Sequence, residues 1–142
     1  MTAARELPGG PVRVLVTVLG LDQHEAGSLA VARLLRDAGV EVIYAGRFQL
    51  PETIANIAME EDVDVVGVSA HSWEFLHYAP ELVQRLRSAD PPIPIAVGGS
   101  VITAADCEEL RERGIDEAVL PTVSEDEIVA VFYRLAERHR AA

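Results

Sequence analysis

Residues 12–27 read VRVLVTVLGLDQHEAG, and the two halves of that stretch decide the fold. Val12 to Val18 is rich in β-branched residues, the pattern of a strand buried on both faces. Leu19 to Gly27 is a loop. Gly27 to Asp37 then carries Leu29, Ala32, Leu34 and Leu35 among Arg33 and Arg36, a helix stopped by Gly39. Strand, loop and helix in this order form one half-turn of a parallel sheet.

The same unit recurs along the chain. Further strands are expected at Val40–Tyr44, Val63–Ser69 (VDVVGVS), Ile93–Val97 and Glu117–Leu120. Pro51 opens a helix carrying Ile54, Ile57 and Ala58 at helical spacing. Phe75 to Arg87 is a helix with Leu82, Val83 and Leu86 inward. Thr103, with Asp106 at the capping-box position, starts a helix running to Arg113. Ser124, with Glu127 three residues on, opens the last helix, which continues to about His139. The expectation is an α/β domain: a doubly wound, five-stranded parallel sheet of the flavodoxin-like (Rossmann-like) order 2-1-3-4-5. Residues 1–11, ending in Pro8-Gly9-Gly10-Pro11, read as a disordered leader and 12–140 as one domain without internal repeat or linker.

Composition narrows what such a domain does. With 142 residues, 49% of them hydrophobic, the chain can bury a core without disulfide or metal staples. Twelve basic residues against 23 acidic ones give a formal charge of −11, which repels nucleic-acid backbones and anionic membranes. Every basic residue is an arginine, so Schiff-base and P-loop lysine chemistry is excluded. The single cysteine, Cys107, cannot form an internal disulfide and reads as a buried structural thiol in a reducing compartment. No apolar run approaches the ~20 residues that span a bilayer, and the N-terminus lacks a signal peptide. A cytoplasmic location is expected.

In a doubly wound sheet, ligands sit beyond the C-terminal ends of the strands, at the switch point between the first and third. Three loops meet there: Leu19–Gly27, Ser69–Phe75 and Gly98–Ser100. Phosphoacceptor receivers need an Asp after the third strand and a Lys after the fifth; here the third strand ends in Ser69 and lysine is absent. The first loop lacks the hydroxyl- and glycine-rich sequence of a flavodoxin, and no GxGxxG occurs. It offers Asp22 and His24 instead. A carboxylate two residues before a histidine can accept one ring N–H and leave the other nitrogen oriented and electron-rich for a metal. Gly27 lets the helix start close to whatever the histidine holds. An Asp-x-His of this kind is also common as a plain surface pair.

Other residues leave alternatives open. His71 suits contact with a ligand, a partner subunit or solvent. Trp73 and Phe75 suit either an interface or a cap on the core. His77 reads as structural or exposed, and His139 as part of a polar tail. Glu125-Asp126-Glu127 fits the start of a helix and needs no further role.

Together the loops resemble the cobalamin-binding domain of coenzyme-B12-dependent mutases, whose motif is Asp-x-His-x-x-Gly, then Ser-x-Leu, then Gly-Gly. This chain has Asp22-Gln23-His24-Glu25-Ala26-Gly27, Ser69-Ala70-His71 and Gly98-Gly99. The resemblance spans about residues 12 to 138, and Glu41–Gly46 and Glu60–Gly67 look like the methylmalonyl-CoA mutase branch. It implies that His24 is the lower axial ligand of cobalt, that Asp22 holds its other nitrogen, and that Gln23 and Gly27 belong to the same loop. It further implies that the nucleotide tail of adenosylcobalamin enters a slot cleared by Gly98 and Gly99. Ser69, His71, Pro121 and Thr122 would contact that tail. Three positions depart from the family pattern. Val18 stands where acyl-CoA mutases carry a Lys, His71 replaces the Leu of Ser-x-Leu, and Leu120-Pro121-Thr122 shortens a Gly-Pro-Gly-Thr element.

The resemblance implies the small, cobalamin-binding subunit of a heteromeric carbon-skeleton mutase that rearranges an acyl-CoA by a radical route. A large (β/α)₈-barrel subunit on another chain would hold the substrate. Other readings are a glutamate-mutase-type small subunit, a cobalamin carrier or regulatory module without mutase activity, and an interaction domain that has lost its cofactor.

Overall fold

Asp37 to Gly39 and Asp62 to Asp64 are turns of the kind that end helices and launch strands, and the chain folds around such reversals. The computed structural model describes residues 7–19, 25–70, 74–99 and 103–142. Strands β1 (Arg13–Leu19), β2 (Glu41–Gln49), β3 (Val65–Ser69), β4 (Ile95–Gly98) and β5 (Glu117–Val119) pair in parallel in the order β2-β1-β3-β4-β5. Helices α1 (Ala26–Asp37), α2 (Pro51–Glu60), α3 (Glu74–Arg87), α4 (Ala104–Glu112) and α5 (Glu125–Ala141) make the crossovers. The order is the one expected from the sequence.

The sheet divides the core in two. Under α2, α3 and α4 lie Leu15, Val66, Val68, Ile95 and Val97, packed against Ile54, Leu82, Leu86 and Leu110. Under α1 and α5 lie Val14, Val16, Val65 and Ala96, packed against Ala32, Leu35, Phe132, Tyr133 and Leu135. Tyr133 is fully buried, and its hydroxyl donates to the Ala38 carbonyl at 2.9 Å, which satisfies its one polar atom and ties α5 to the end of α1.

Local signals are realised at most helix ends. Pro51 occupies the first turn of α2. Thr103 and Asp106 form a reciprocal capping box at α4, and the Ser124 hydroxyl accepts from the Glu127 amide at α5. Cys107 is buried, and its thiol donates to the Ala118 carbonyl at 3.5 Å. No helix among the described residues is long and apolar enough to cross a membrane.

Four features differ from the expectations. First, β2 runs to Gln49 rather than ending at Tyr44, through a bulge: Val16 pairs with Tyr44, Thr17 with Gly46 and Leu19 with Gln49. Gly46 there has φ +77°, a left-handed conformation that glycine adopts at no steric cost. Second, His139 is buried rather than part of a polar tail, with its Nδ1 2.9 Å from the Pro92 carbonyl. Third, the end of the expected leader is structured. Leu7 and Gly10 form a bridge, and Arg140 donates to the carbonyls of Pro8, Gly10 and Pro11 at 2.8–3.0 Å. The same guanidinium meets both Asp64 oxygens at 2.9 Å, and Asp64 also accepts the Arg13 amide. Fourth, Leu29 is 49% exposed although it belongs to the apolar pattern of α1.

Candidate functional site

Strands β3 and β4 present opposite kinds of residue to the two halves of the core. One set, Val66, Val68, Ile95 and Val97, is large and fills the space beneath α2–α4. The alternate set is Gly67, Ser69, Ala96 and Gly98. Because side chains alternate along a strand, all four face α1 and α5. They are too small to fill the distance to those helices. The result is a cavity of about 410 Å³ at the C-terminal end of the sheet. Val16 and Val31 line one side, Ile128 and Phe132 of α5 the other, and Gly27, Ser28 and Pro121 the mouth.

The glycines contribute in different ways. A Cβ on Gly67 would lie 2.9 Å from the Phe132 ring, so this glycine makes room for the aromatic wall. A Cβ on Gly98 would find only Val119, at 3.7–3.9 Å, and would otherwise project into open space. A Cβ on Gly99 would run into the Ala70 carbonyl. Gly99 borders the cavity, but its missing side chain serves the close approach of two backbone segments, where the Ala70 amide also donates to the Gly98 carbonyl at 2.8 Å. Its expected role in clearing the slot therefore passes to Gly98.

Among the described residues no charged side chain lines the slot, and Ser28 and Ser69 supply side-chain hydroxyls. The lining suits a flat, uncharged group inserted edge-on, with a few hydrogen bonds to fix it.

A polar cluster borders the mouth. Glu25 directly precedes α1. Its carboxylate accepts from the Tyr44 hydroxyl at 2.7 Å and pairs with Arg47 Nε at 3.0 Å. The Ser28 hydroxyl donates to the Glu25 carbonyl at 2.8 Å and lies 3.0 Å from the Tyr44 oxygen. Burial raises the Tyr44 pKa; the Ser28 hydroxyl partly offsets this, and the adjacent Glu25 raises it further. The phenol thus remains a donor to Glu25 across the physiological range.

Of the residues expected at the site, Gly27, Ser69, Gly98, Gly99 and Pro121 come together around the slot. Thr122, next to Pro121, is exposed and is not in the lining. Asp22, Gln23, His24, His71 and Trp73 lie outside the described residues. Of the two readings open for Phe75, interface or core cap, the structure has the second: it is buried in the core under α2–α4. Gly67, Ala96, Ser28, Ile128 and Phe132 were missed. The alternation in Val65-Val66-Gly67-Val68-Ser69 and Ile95-Ala96-Val97-Gly98 carries the signal for the first two, because every second residue is small.

Comparison with known proteins agrees with this geometry. A family model described as a B12 binding domain matches residues 12–130. The pivalyl-CoA mutase small subunit of Xanthobacter autotrophicus is 38% identical over 131 residues, covering 92% of this chain and 88% of that protein. The 2-hydroxyisobutanoyl-CoA mutase small subunit of Aquincola tertiaricarbonis is 41% identical over 110 residues, covering 78% of this chain and 81% of that one. Among solved structures, a cobalamin-binding protein of Desulfitobacterium hafniense superposes with a TM-score of 0.74 at 19% identity. It covers 88% of this chain and 59% of its own, which speaks for the fold alone.

Proposed function

This chain belongs to the B12-binding domain family, and from that premise we propose that it is the small, cobalamin-carrying subunit of a two-subunit, adenosylcobalamin-dependent acyl-CoA mutase in the cytoplasm. The observation that carries the reading is the slot. Gly67, Ser69, Ala96 and Gly98 leave an uncharged cavity open at the strand ends, and a Cβ on Gly98 would project into it. The residues present therefore fit an inserted nucleotide tail, with the Ser28 and Ser69 hydroxyls as its polar contacts.

The division of labour among the residues follows from their chemistry. His24 would hold cobalt through one ring nitrogen. Asp22 accepts the N–H of the other, which fixes the tautomer and raises the basicity of the ligand. Val18, at the position of the family's Lys, is fully buried in β1, so Asp22 works without that cation. When bound, adenosylcobalamin supplies a cobalt–carbon bond whose homolysis starts a radical rearrangement. The slot residues Gly67, Ser69, Ala96 and Gly98 would hold the tail between sheet and helices, at the strand ends. A large (β/α)₈-barrel subunit covers that end, binds the acyl-CoA and keeps water from the radicals.

The test uses adenosylcobalamin and the full chain. Binding should shift the absorption spectrum to that of a cofactor whose own base is displaced. In the cob(II)alamin form, ¹⁵N-labelled histidine should change the nitrogen coupling in the electron paramagnetic resonance spectrum. His24→Ala should abolish that coupling and most of the affinity. A wild-type spectrum without histidine nitrogen on cobalt would overturn the ligand assignment. Turnover of an acyl-CoA by this chain alone would overturn the two-subunit reading.

A further inference from the structure

We propose that Glu25, Tyr44 and Arg47 are positioning residues: a clamp from β2 that holds Glu25, the residue next to His24, and thereby sets how well His24 reaches cobalt. The inference rests on the cobalamin reading above.

Glu25 follows His24 by a single peptide bond, a Cα–Cα step of about 3.8 Å. Wherever Glu25 is held, the position of His24 is confined to that radius. Glu25 is held on both sides. Its two carboxylate oxygens are taken separately, Oε1 by Tyr44 at 2.7 Å and Oε2 by Arg47 at 3.0 Å. Its carbonyl accepts from the Ser28 hydroxyl at 2.8 Å and from the Leu29 amide at 3.0 Å, both in α1. The residue thus joins the β2 end of the rim to the first turn of α1.

The clamp depends on the bulge. Tyr44 and Arg47 are three residues apart, and in a regular strand an odd separation sends side chains to opposite faces. Here the register slips between Val16–Tyr44 and Thr17–Gly46, with Gly46 at φ +77°. The extra residue resets the alternation and brings both donors to one carboxylate. The Thr17 hydroxyl pins the bulge by donating to the Gly46 carbonyl at 3.1 Å. The Arg47 and Glu25 side chains are 42% and 28% exposed, so the pair adds little to folding. Its value lies in geometry: a charge-assisted, two-point hold on the residue next to the ligand.

The test compares wild type with Tyr44→Phe, Arg47→Ala, Glu25→Gln and Arg47→Lys in the full chain. Adenosylcobalamin affinity, the nitrogen coupling of the cob(II)alamin form and cofactor-free melting are measured for each. The first three variants should each weaken affinity about tenfold, as loss of groups that orient a metal ligand does. They should show a mixture of histidine-bound and histidine-free cobalt, and melt within about 2 °C of wild type. Arg47→Lys should restore most of both properties. In a double-mutant cycle, Tyr44→Phe with Glu25→Gln should be less than additive, because both act through one carboxylate. If wild type binds and the variants equal it in affinity and coupling, the clamp is refuted and the cobalamin reading stands. If affinity falls while histidine coordination stays complete and Arg47→Lys does not rescue, the clamp is also refuted. If wild type itself does not bind, both readings fall.

Discussion

The two halves of the core share the same five strands but end differently. Under α2, α3 and α4, β1, β3 and β4 contribute Val, Leu or Ile and β5 contributes Ala118, and those side chains pack against helix residues up to the C-terminal edge. Under α1 and α5, the N-terminal part is equally dense, with Val14, Leu35, Tyr133 and Leu135 fully buried. Toward the C-terminal edge that half runs out of side chain, because Gly67, Ser69, Ala96 and Gly98 occupy the inward positions. Closed packing and a ligand slot are therefore one residue apart along the chain. Parity within a strand, and not overall hydrophobicity, separates what stabilises the domain from what it offers to a ligand.

Substitutions on the two sides should separate in the same way. The largest effect is expected on the closed side: Leu82→Ala should lose ~2–5 kcal/mol of stability in urea unfolding, while cobalamin affinity of the folded protein stays unchanged. On the open side, Gly98→Val should do the reverse. Filling the slot at a cost of ~1–3 kcal/mol corresponds to a dissociation constant raised about fivefold to 150-fold. The melting temperature should hardly move, since Val119 stands 3.7–3.9 Å from the new Cβ. Isothermal titration beside a thermal scan checks both. Gly99→Ala sits at the boundary and should behave as a closed-side change, losing ~1–3 kcal/mol through its collision with the Ala70 backbone. Were Gly99→Ala to spare stability and abolish binding, the boundary would shift by one residue. The smallest effect should come from Leu29→Ser on exposed α1, within ~0.5 kcal/mol in the same unfolding assay.

The fold was legible because its signals are local and periodic. Apolar strands alternate with helices marked by Pro51, Thr103 and Ser124, and topology alone then places the switch point. Half of the slot was legible through Gly98 and Ser69. Gly67 and Ala96 were not singled out, because VDVVGVS and IPIAV read as uniformly apolar until the two faces are separated. The β2 bulge has no periodic signature. It needs a left-handed residue at Gly46 and a partner strand whose register cannot be known beforehand. His139 was misjudged because a helix end reads as a polar tail until the neighbouring element that covers it is known. The Pro92 carbonyl reaches His139.

Arg140 has a consequence for how this domain can be joined to others. Its guanidinium binds the carbonyls of Pro8, Gly10 and Pro11 together with Asp64, so the strand-launching edge of the sheet holds residues 8–11 and the last turn of α5 side by side. The slot opens at the opposite edge. A tether, surface anchor or second polypeptide grafted after α5 would leave from the far pole of the domain and would not sweep across the mouth. Arg140 thus acts as a clasp that keeps attachment and ligand exchange on separate poles of a molecule five strands wide.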